Sequence, residues 1–150
     1  MTKEPISDFY ALKNSEKTPF SDIAIGKKVQ LNKYITEENI QLFLKLSGDN
    51  NPIHLDEDFA KNTMFKGRVA YGLLSLLLIS AGLTRLMGPG NIWLSQEFKF
   101  VNPIKINDII KAELEIIDIA KNKTCTIKTT CSNQNGQVVL DGTAKSRVFK

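Results

Sequence analysis

The segment from Asp49 to His54 contains the two residue types best suited to acid–base chemistry on a small molecule. A carboxylate and an imidazole stand five residues apart in this segment. The intervening Asn, Pro and Ile residues, and the Gly that precedes Asp49, are typical of a turn. A turn can direct both side chains into one cleft, where they can hold a water molecule, accept its proton and return a proton to a neighbouring atom. This chemistry suits the hydration of a double bond and its reversal.

The same spacing also has a purely structural interpretation. An Asp in a Gly-Asp-Asn-Asn turn commonly caps backbone groups, and a single histidine is commonly a hydrogen-bonded core residue. His54 is the only histidine in the chain. Spacing alone therefore favours the structural interpretation.

The elements before and after this turn follow from capping residues and apolar periodicity. Alternating apolar residues predict a strand over residues 27–35, and Thr36 followed by two glutamates is typical of a helix start. That helix should end near Gly48. Asp56 is predicted to cap a further short helix. The turn that carries the two candidate residues is thus expected to lie between helices.

A charge-free stretch between Arg68 and Arg85 predicts a long buried helix from about Val69 to Met87. The stretch is shorter than the roughly 20 residues that a membrane span needs. Beyond Asn91 the apolar period changes to two, which predicts strands around residues 98–100, 112–116, 125–131 and 138–148, with a hairpin turn at Asn135-Gly136. A helix that is apolar all round must be covered, so we expect an α+β fold in which an antiparallel sheet wraps around it.

The length and net charge of the chain restrict the number of domains and the class of protein to which it can belong. A chain of 150 residues is the usual size of one domain, so 23–150 is predicted to be a single domain and the mostly polar residues 1–22 an N-terminal extension. The net charge of +4 is mild and the Lys and Arg residues are scattered, which argues against nucleic-acid binding. The N-terminus lacks the apolar core of a signal peptide, so we expect a soluble, cytoplasmic protein.

Cys125 and Cys131 are the only cysteines. On one strand they would lie roughly 20 Å apart, whereas a disulfide needs Cα atoms within about 7 Å. No disulfide is therefore expected, which favours a reducing compartment. With two cysteines and one histidine in the chain, we expect no metal site.

The residues Gly48-Asp49-Asn50-Asn51-Pro52-Ile53-His54 resemble the signature of MaoC-like, R-specific enoyl-CoA hydratases. The resemblance continues in three further places, spans roughly residues 23–148, and includes Leu55-Asp56-x-x-Phe59-Ala60, Val69-Ala70-Tyr71-Gly72 and Phe98-x-Phe100-x-x-Pro103. It implies a single hot-dog domain, in which the antiparallel sheet wraps around the long apolar helix. It also reverses the preference for a structural interpretation of the turn.

The resemblance implies roles for particular residues. Asp49 and His54 match the catalytic pair, and Gly72 matches the position whose backbone N–H binds the thioester oxygen. The predicted substrate-binding residues are Asn51, Tyr71, Ser80, Lys66 and Arg68. Tyr71 stands where family members commonly carry His, and either packing or a polar contact with the ligand would explain it. The two cations can meet the phosphates of coenzyme A or simply be solvated.

The activity that the resemblance implies is the reversible hydration of trans-2-enoyl-CoA to (R)-3-hydroxyacyl-CoA. It implies no metal and no redox cofactor, with coenzyme A present only as part of the substrate, and a homodimer with its acyl tunnel at the interface. Two alternatives stay open, a non-catalytic acyl-CoA-binding or sensing module and an acyl-CoA thioesterase. The sequence leaves open the acyl chain length, the carrier, and which of Asp49 and His54 takes the proton from water.

Overall fold

The computed structural model describes residues 22–149, so the predicted extension lies outside the described residues except for Asp22. In chain order the elements are β1 (Lys28–Tyr34), α1 (Glu37–Ser47), α2 (Pro52–Leu55), α3 (Glu57–Ala60), α4 (Leu74–Met87), β2 (Asn91–Phe100), β3 (Ile109–Ile119), β4 (Cys125–Ser132) and β5 (Val138–Val148).

The five strands form one antiparallel sheet in the order β1-β3-β4-β5-β2. Helix α4 packs on its inner face, and Ile79, Leu83 and Leu86 of that helix are at most 1% exposed. From the sheet, Ile116 and Ile127 face each other across β3 and β4 and are both fully buried. This is the predicted α+β architecture, a sheet wrapped around one long apolar helix.

The predicted alternation along the strands is confirmed. Along β4, every second residue from Cys125 to Cys131 is fully buried, and both cysteines are free thiols. The predicted hairpin turn is also present: the Gly136 N–H donates to the Asn133 carbonyl at 3.0 Å. Gly136 has a φ of +75°, a conformation that glycine adopts without strain. Sequence period and turn chemistry together therefore account for the second half of the chain.

The long helix begins at Leu74 and not at about Val69 as predicted, although it does end at Met87. Val69 instead forms an isolated bridge with Lys105, and the Ala70 N–H donates to the Ile104 carbonyl at 2.7 Å. A run of apolar residues without charges has no polar periodicity, so the sequence does not show whether the run forms a strand or a helix. The extended residues before α4 matter for the site, because their carbonyl groups stay available to side chains.

The predicted turn after α1 is also shorter than expected, because Pro52 begins the one-turn helix α2. Proline fits the first position of a helix, where its missing N–H is not needed. Asp56 caps α3 as predicted, since its Oδ1 accepts the Phe59 N–H at 3.0 Å. None of the helices within residues 22–149 is long and apolar enough to cross a membrane.

Candidate active site

Asp49 lies in the turn that follows α1. The Gly48 N–H donates to the Leu44 carbonyl at 2.8 Å and ends the helix. The Asp49 N–H donates to Ser47 Oγ at 3.1 Å, and Asp49 Oδ1 accepts the Asn51 N–H at 3.2 Å. The residue is exposed, and its Oδ2 has no hydrogen-bond partner within residues 22–149. One carboxylate oxygen is thus free to bind a water molecule or a ligand.

His54 lies on α2, which the Asn51 side chain caps by accepting the Ile53 N–H at 3.2 Å. The imidazole Nδ1 lies 2.8 Å from the carbonyl oxygen of Val69. A carbonyl oxygen only accepts hydrogen bonds, so Nδ1 carries a proton and Nε2 of the neutral ring carries a lone pair. This tautomer has its basic nitrogen on the side of the ring away from the Val69 backbone.

Tyr71 contacts both predicted catalytic residues and is only 2% exposed. Its hydroxyl donates to the backbone carbonyl of Asp49 at 2.5 Å. The centroid of its ring lies 4.1 Å from that of His54 and 4.2 Å from that of Phe43, which stacks on it. Burial raises the pKa of the Tyr71 hydroxyl, and the charge of Asp49 raises it further. The hydroxyl therefore remains a protonated donor.

Gly72 follows Tyr71 and precedes α4, which has no side-chain cap at its N-terminus. The Gly72 N–H donates no hydrogen bond within residues 22–149. A Cβ at this position would lie 2.7 Å from Cε1 of Phe100, so a side chain would displace that ring. An unpaired N–H at the positive end of a helix can bind an oxygen on which negative charge develops.

The two predicted cations differ in their surroundings. Arg68 Nη2 lies 2.9 Å from Glu37 Oε1, and Arg68 Nε donates to the His54 carbonyl at 2.8 Å. The hydrogen bond from Arg68 holds the pKa of the Glu37 carboxyl below its usual value. Lys66 is exposed, has a φ of +57°, and forms no ion pair within residues 22–149. Contact with coenzyme A stays a prediction for both cations.

Asn51 and Ser80 also stay predictions as substrate-binding residues. The Asn51 side chain is used as the cap of α2. Ser80 is exposed on α4, about two turns beyond Gly72. The structure therefore joins Asp49 and His54 through Tyr71, the residue that precedes Gly72, and leaves Ser80 exposed further along α4.

Three contacts of this site were not predicted from the sequence. The Val69 carbonyl orients His54, and a backbone group has no residue type that would mark it. Phe43 supports Tyr71 but is indistinguishable in the sequence from other apolar residues of α1. Phe100 lies against Gly72 through a contact between distant parts of the chain. No cluster of three or more His, Cys, Asp or Glu that could hold a metal ion occurs within residues 22–149.

The profile of the family described as "MaoC like domain" matches residues 21–138. The chain belongs to this MaoC-like family. Its fold agrees with that of solved R-hydratases: the R-hydratase PhaJ1 from Pseudomonas aeruginosa superposes with a TM-score of 0.81 at 39% identity, over 87% of this chain and 84% of that one. The R-hydratase from A. caviae superposes with a TM-score of 0.81 at 32% identity, over 85% of this chain and 98% of that one.

Curated relatives of this MaoC-like chain carry hydratase and dehydratase names. The (R)-specific enoyl-CoA hydratase of Rhodospirillum rubrum is 44% identical over 127 residues, which are 83% of this chain and 88% of that protein. The 3-hydroxybutyryl-CoA dehydratase of Methylorubrum extorquens is 41% identical over 133 residues, 87% of this chain and 84% of that protein. Both alignments extend over nearly all of the relative, so the likeness is not confined to the turn.

Proposed function

We propose that the chain is a hydro-lyase that interconverts trans-2-enoyl-CoA and (R)-3-hydroxyacyl-CoA. The observation that carries this proposal is the grouping of Asp49, His54 and the unpaired Gly72 N–H around the buried Tyr71. It occurs in a chain 44% identical to a protein named (R)-specific enoyl-CoA hydratase. The same grouping suits both directions, because an enzyme accelerates a reaction and its reverse alike.

Each group of the site has a task in this reaction. The Gly72 N–H binds the thioester oxygen, on which negative charge develops as water attacks C3. Asp49 and His54 hold the attacking water and accept one of its protons, while the water oxygen bonds to C3. A proton is delivered to C2, and the C2=C3 double bond becomes a single bond. The His54 Nε2, which makes no hydrogen bond within residues 22–149, suits this exchange of protons.

This reaction requires no redox cofactor, because water adds and leaves without a net transfer of electrons. The proposed mechanism also assigns no step to a metal ion, since the Gly72 N–H stabilises the charge on the thioester oxygen. Coenzyme A enters only as part of the substrate. Between the two cations near the site, Lys66 is the better candidate for its phosphates, because Arg68 is already paired with Glu37. The free thiols of Cys125 and Cys131 suit the reducing cytoplasm.

A homodimer is part of the proposal, and the edges of the sheet support it. The edge strand β1 carries Lys28 and Lys33, charges of the kind that discourage edge pairing. The opposite edge strand, β2, exposes Ile92 and Leu94 at 50% and 47%. A second copy paired along β2 would cover these residues.

The exposed face of α4 supports the same dimer and gives Ser80 a role. Leu73, Leu77 and Ser80 follow helical spacing on that face, and both leucines are more than 40% exposed. A partner copy over this stripe would create an apolar passage for the acyl chain, with Ser80 beside it. Light scattering coupled to size exclusion tests this arrangement, and a monomer would contradict it.

A direct assay tests the proposed activity. Purified protein mixed with crotonyl-CoA should remove the absorbance of the conjugated enoyl thioester at a rate proportional to enzyme concentration. Chiral analysis should identify the product as the R isomer. A panel of longer enoyl-CoA and enoyl-acyl-carrier-protein substrates then defines chain length and carrier. No turnover with any member of the panel would contradict the proposal.

The same preparation distinguishes the two alternatives. A thioesterase would release free thiol from saturated acyl-CoA, which a thiol reagent detects. A non-catalytic acyl-CoA module would bind the ligand in calorimetry without converting enoyl-CoA. The free Oδ2 of Asp49 and the free Nε2 of His54 favour catalysis over mere binding, because neither atom is used by the fold within residues 22–149.

A further inference from the structure

Tyr71 contacts both members of the proposed catalytic pair through different parts of its side chain. Its hydroxyl binds the backbone at Asp49, and its ring lies against that of His54. We propose that Tyr71 is a positioning residue, which fixes both groups relative to the Gly72 N–H and does not itself bind the substrate. This inference rests on the proposed function and identifies a further residue on which that function depends.

The Asp49 side of this arrangement depends on an anchor from outside the turn. The other hydrogen bonds of Asp49 are local ones with Ser47 and Asn51, two residues away on either side. Local bonds shape a turn but do not locate it against a distant element. The bond from Tyr71 joins positions 22 residues apart in the chain. It therefore sets the distance between the Asp49 turn and the start of α4, where Gly72 lies.

The His54 side depends on the ring of Tyr71. The bond from Nδ1 to the Val69 carbonyl fixes the tautomer and holds one edge of the imidazole. The ring of Tyr71, at 4.1 Å, restricts the tilt of the imidazole about that bond. Phe43 stacks on Tyr71 at 4.2 Å and supports it. A catalytic base must be held in place before it acts, since small displacements cost large factors in rate.

The hydroxyl of Tyr71 has its hydrogen bond inside the protein, and the residue is 2% exposed. Both features leave it poorly placed to donate to a ligand. This arrangement distinguishes a positioning role from the predicted contact with the ligand. A lost ligand contact raises KM, whereas misplaced catalytic groups lower kcat.

The first experiment replaces Tyr71 by Phe, which keeps the ring and removes only the hydroxyl. Tyr34→Phe is the matched control, since the Tyr34 hydroxyl also makes one hydrogen bond, to Asn107 at 3.1 Å, in an exposed part of the fold. Tyr71→Phe should lower kcat about three- to tenfold, as expected for one hydrogen bond, and leave KM within about twofold. Tyr34→Phe should leave both unchanged. A raised KM with unchanged kcat would overturn the proposal.

The second experiment combines Tyr71→Phe with Asp49→Asn. If the hydroxyl acts through Asp49, its removal should cost less than about twofold once that carboxylate is gone, because coupled groups are not additive. If the fall in kcat of the double variant equals the product of the falls in the two single variants, the proposal is overturned.

The third experiment needs no activity. His54 is the only histidine, so in tag-free protein its ring gives a single set of NMR resonances. Tyr71→Leu should shift these resonances, because the neighbouring aromatic ring is lost. Tyr71→Phe should instead shift the amide of Asn50, which shares a peptide group with the Asp49 carbonyl, and Tyr34→Phe should shift neither. Unchanged resonances in both Tyr71 variants would overturn the positioning role.

These readouts separate the two proposals. Absence of turnover with every enoyl thioester would reject the hydratase function. The resonances of His54 and Asn50 would still show whether Tyr71 contacts both groups in solution, as its positioning role requires.

Discussion

The inner face of the sheet and the segment 49–72 are stabilised in different ways. The sheet and α4 enclose fully buried side chains such as Ile79, Ile116 and Ile127. The segment 49–72 is about half exposed and consists of turns, two four-residue helices and a short buried extended stretch at residues 69–71. It is held by hydrogen bonds between side chains and backbone, as at Asn51 and Arg68. Stability is thus concentrated in the sheet and α4, and the proposed chemistry in the segment 49–72. Substitutions should therefore separate effects on stability from effects on activity.

The largest loss of activity without loss of stability is expected for the proposed catalytic pair, Asp49 and His54. Asp49→Asn and His54→Gln should each lower kcat by about a hundred- to ten-thousandfold, the usual range for general acid and base groups. The double variant should be little worse than the worse single one. Thermal unfolding should stay near wild type for Asp49→Asn, since the residue is exposed.

Asp58→Asn is the control for this experiment, because Asp58 is a carboxylate of the same segment with its side chain 86% exposed. It should keep the wild-type rate. A folded Asp49 or His54 variant with near wild-type turnover would show that the residue belongs only to the turn.

In the core we expect the opposite, a loss of stability caused by the removal of a buried side chain. Ile116→Ala should lower the free energy of unfolding by about 2–5 kcal/mol, because it leaves a cavity between β3 and α4. Ile117→Ala is the matched control, since the adjacent side chain is 45% exposed and should cost less than about 0.5 kcal/mol. Denaturant titration measures both. Equal losses for the two variants would contradict the assignment of the buried face.

Gly72→Ala tests the place where the two regions meet. The added Cβ would press on the Phe100 ring of β2 and displace the start of α4. We expect kcat/KM to fall by about ten- to a hundredfold, since small displacements of the Gly72 N–H, the proposed donor to the thioester oxygen, cost large factors in rate. Gly67→Ala is the control, because its Cβ would meet only the flexible end of Glu57, at 3.1 Å. Similar rates for the two variants would show that the Phe100 ring can move aside for a Cβ at position 72 without displacing the start of α4.

The smallest effect concerns the ion pair that joins α1 to the segment. The hydrogen bond from Arg68 lowers the pKa of Glu37 below its usual value of 4.5. Glu37 therefore adds stability above the carboxyl pKa of the unfolded chain, and this stability is lost as pH falls through the folded pKa. Because the Glu37 side chain is 50% exposed, the contribution should be small and weaker in high salt.

Melting curves of Glu37→Gln across the acid range measure this contribution. The difference in Tm from wild type should be present at pH 7 and should disappear below the pKa of Glu37. Glu38→Gln is the control, since Glu38 also lies in the first turn of α1 but forms no ion pair within residues 22–149. A pH-independent difference for Glu37→Gln would show that the ion pair is not its cause.

The same two regions differ in how far the sequence predicts them. The strands and the end of α4 follow from apolar period and from the turn residues at Asn135 and Gly136, because burial imposes a strict pattern. The start of α4 was predicted wrongly, because the run from Val69 has no charges to separate strand from helix. The bond from His54 to the Val69 carbonyl depends on that irregular stretch, so its geometry required the structure.

The site has a further property, since Asp49, His54, Tyr71 and Gly72 belong to one uninterrupted stretch of chain. Exchange of residues 49–72 as a single cassette between related enzymes would transfer the proposed acid–base groups, the tyrosine that links them and the proposed oxyanion donor together. The stripe of α4 that is proposed to line the acyl passage would stay with the recipient, apart from Leu73, which lies next to the cassette. The proposed roles therefore assign the reacting groups and the acyl passage to separable lengths of sequence, so that recombination between relatives would vary the one while keeping the other.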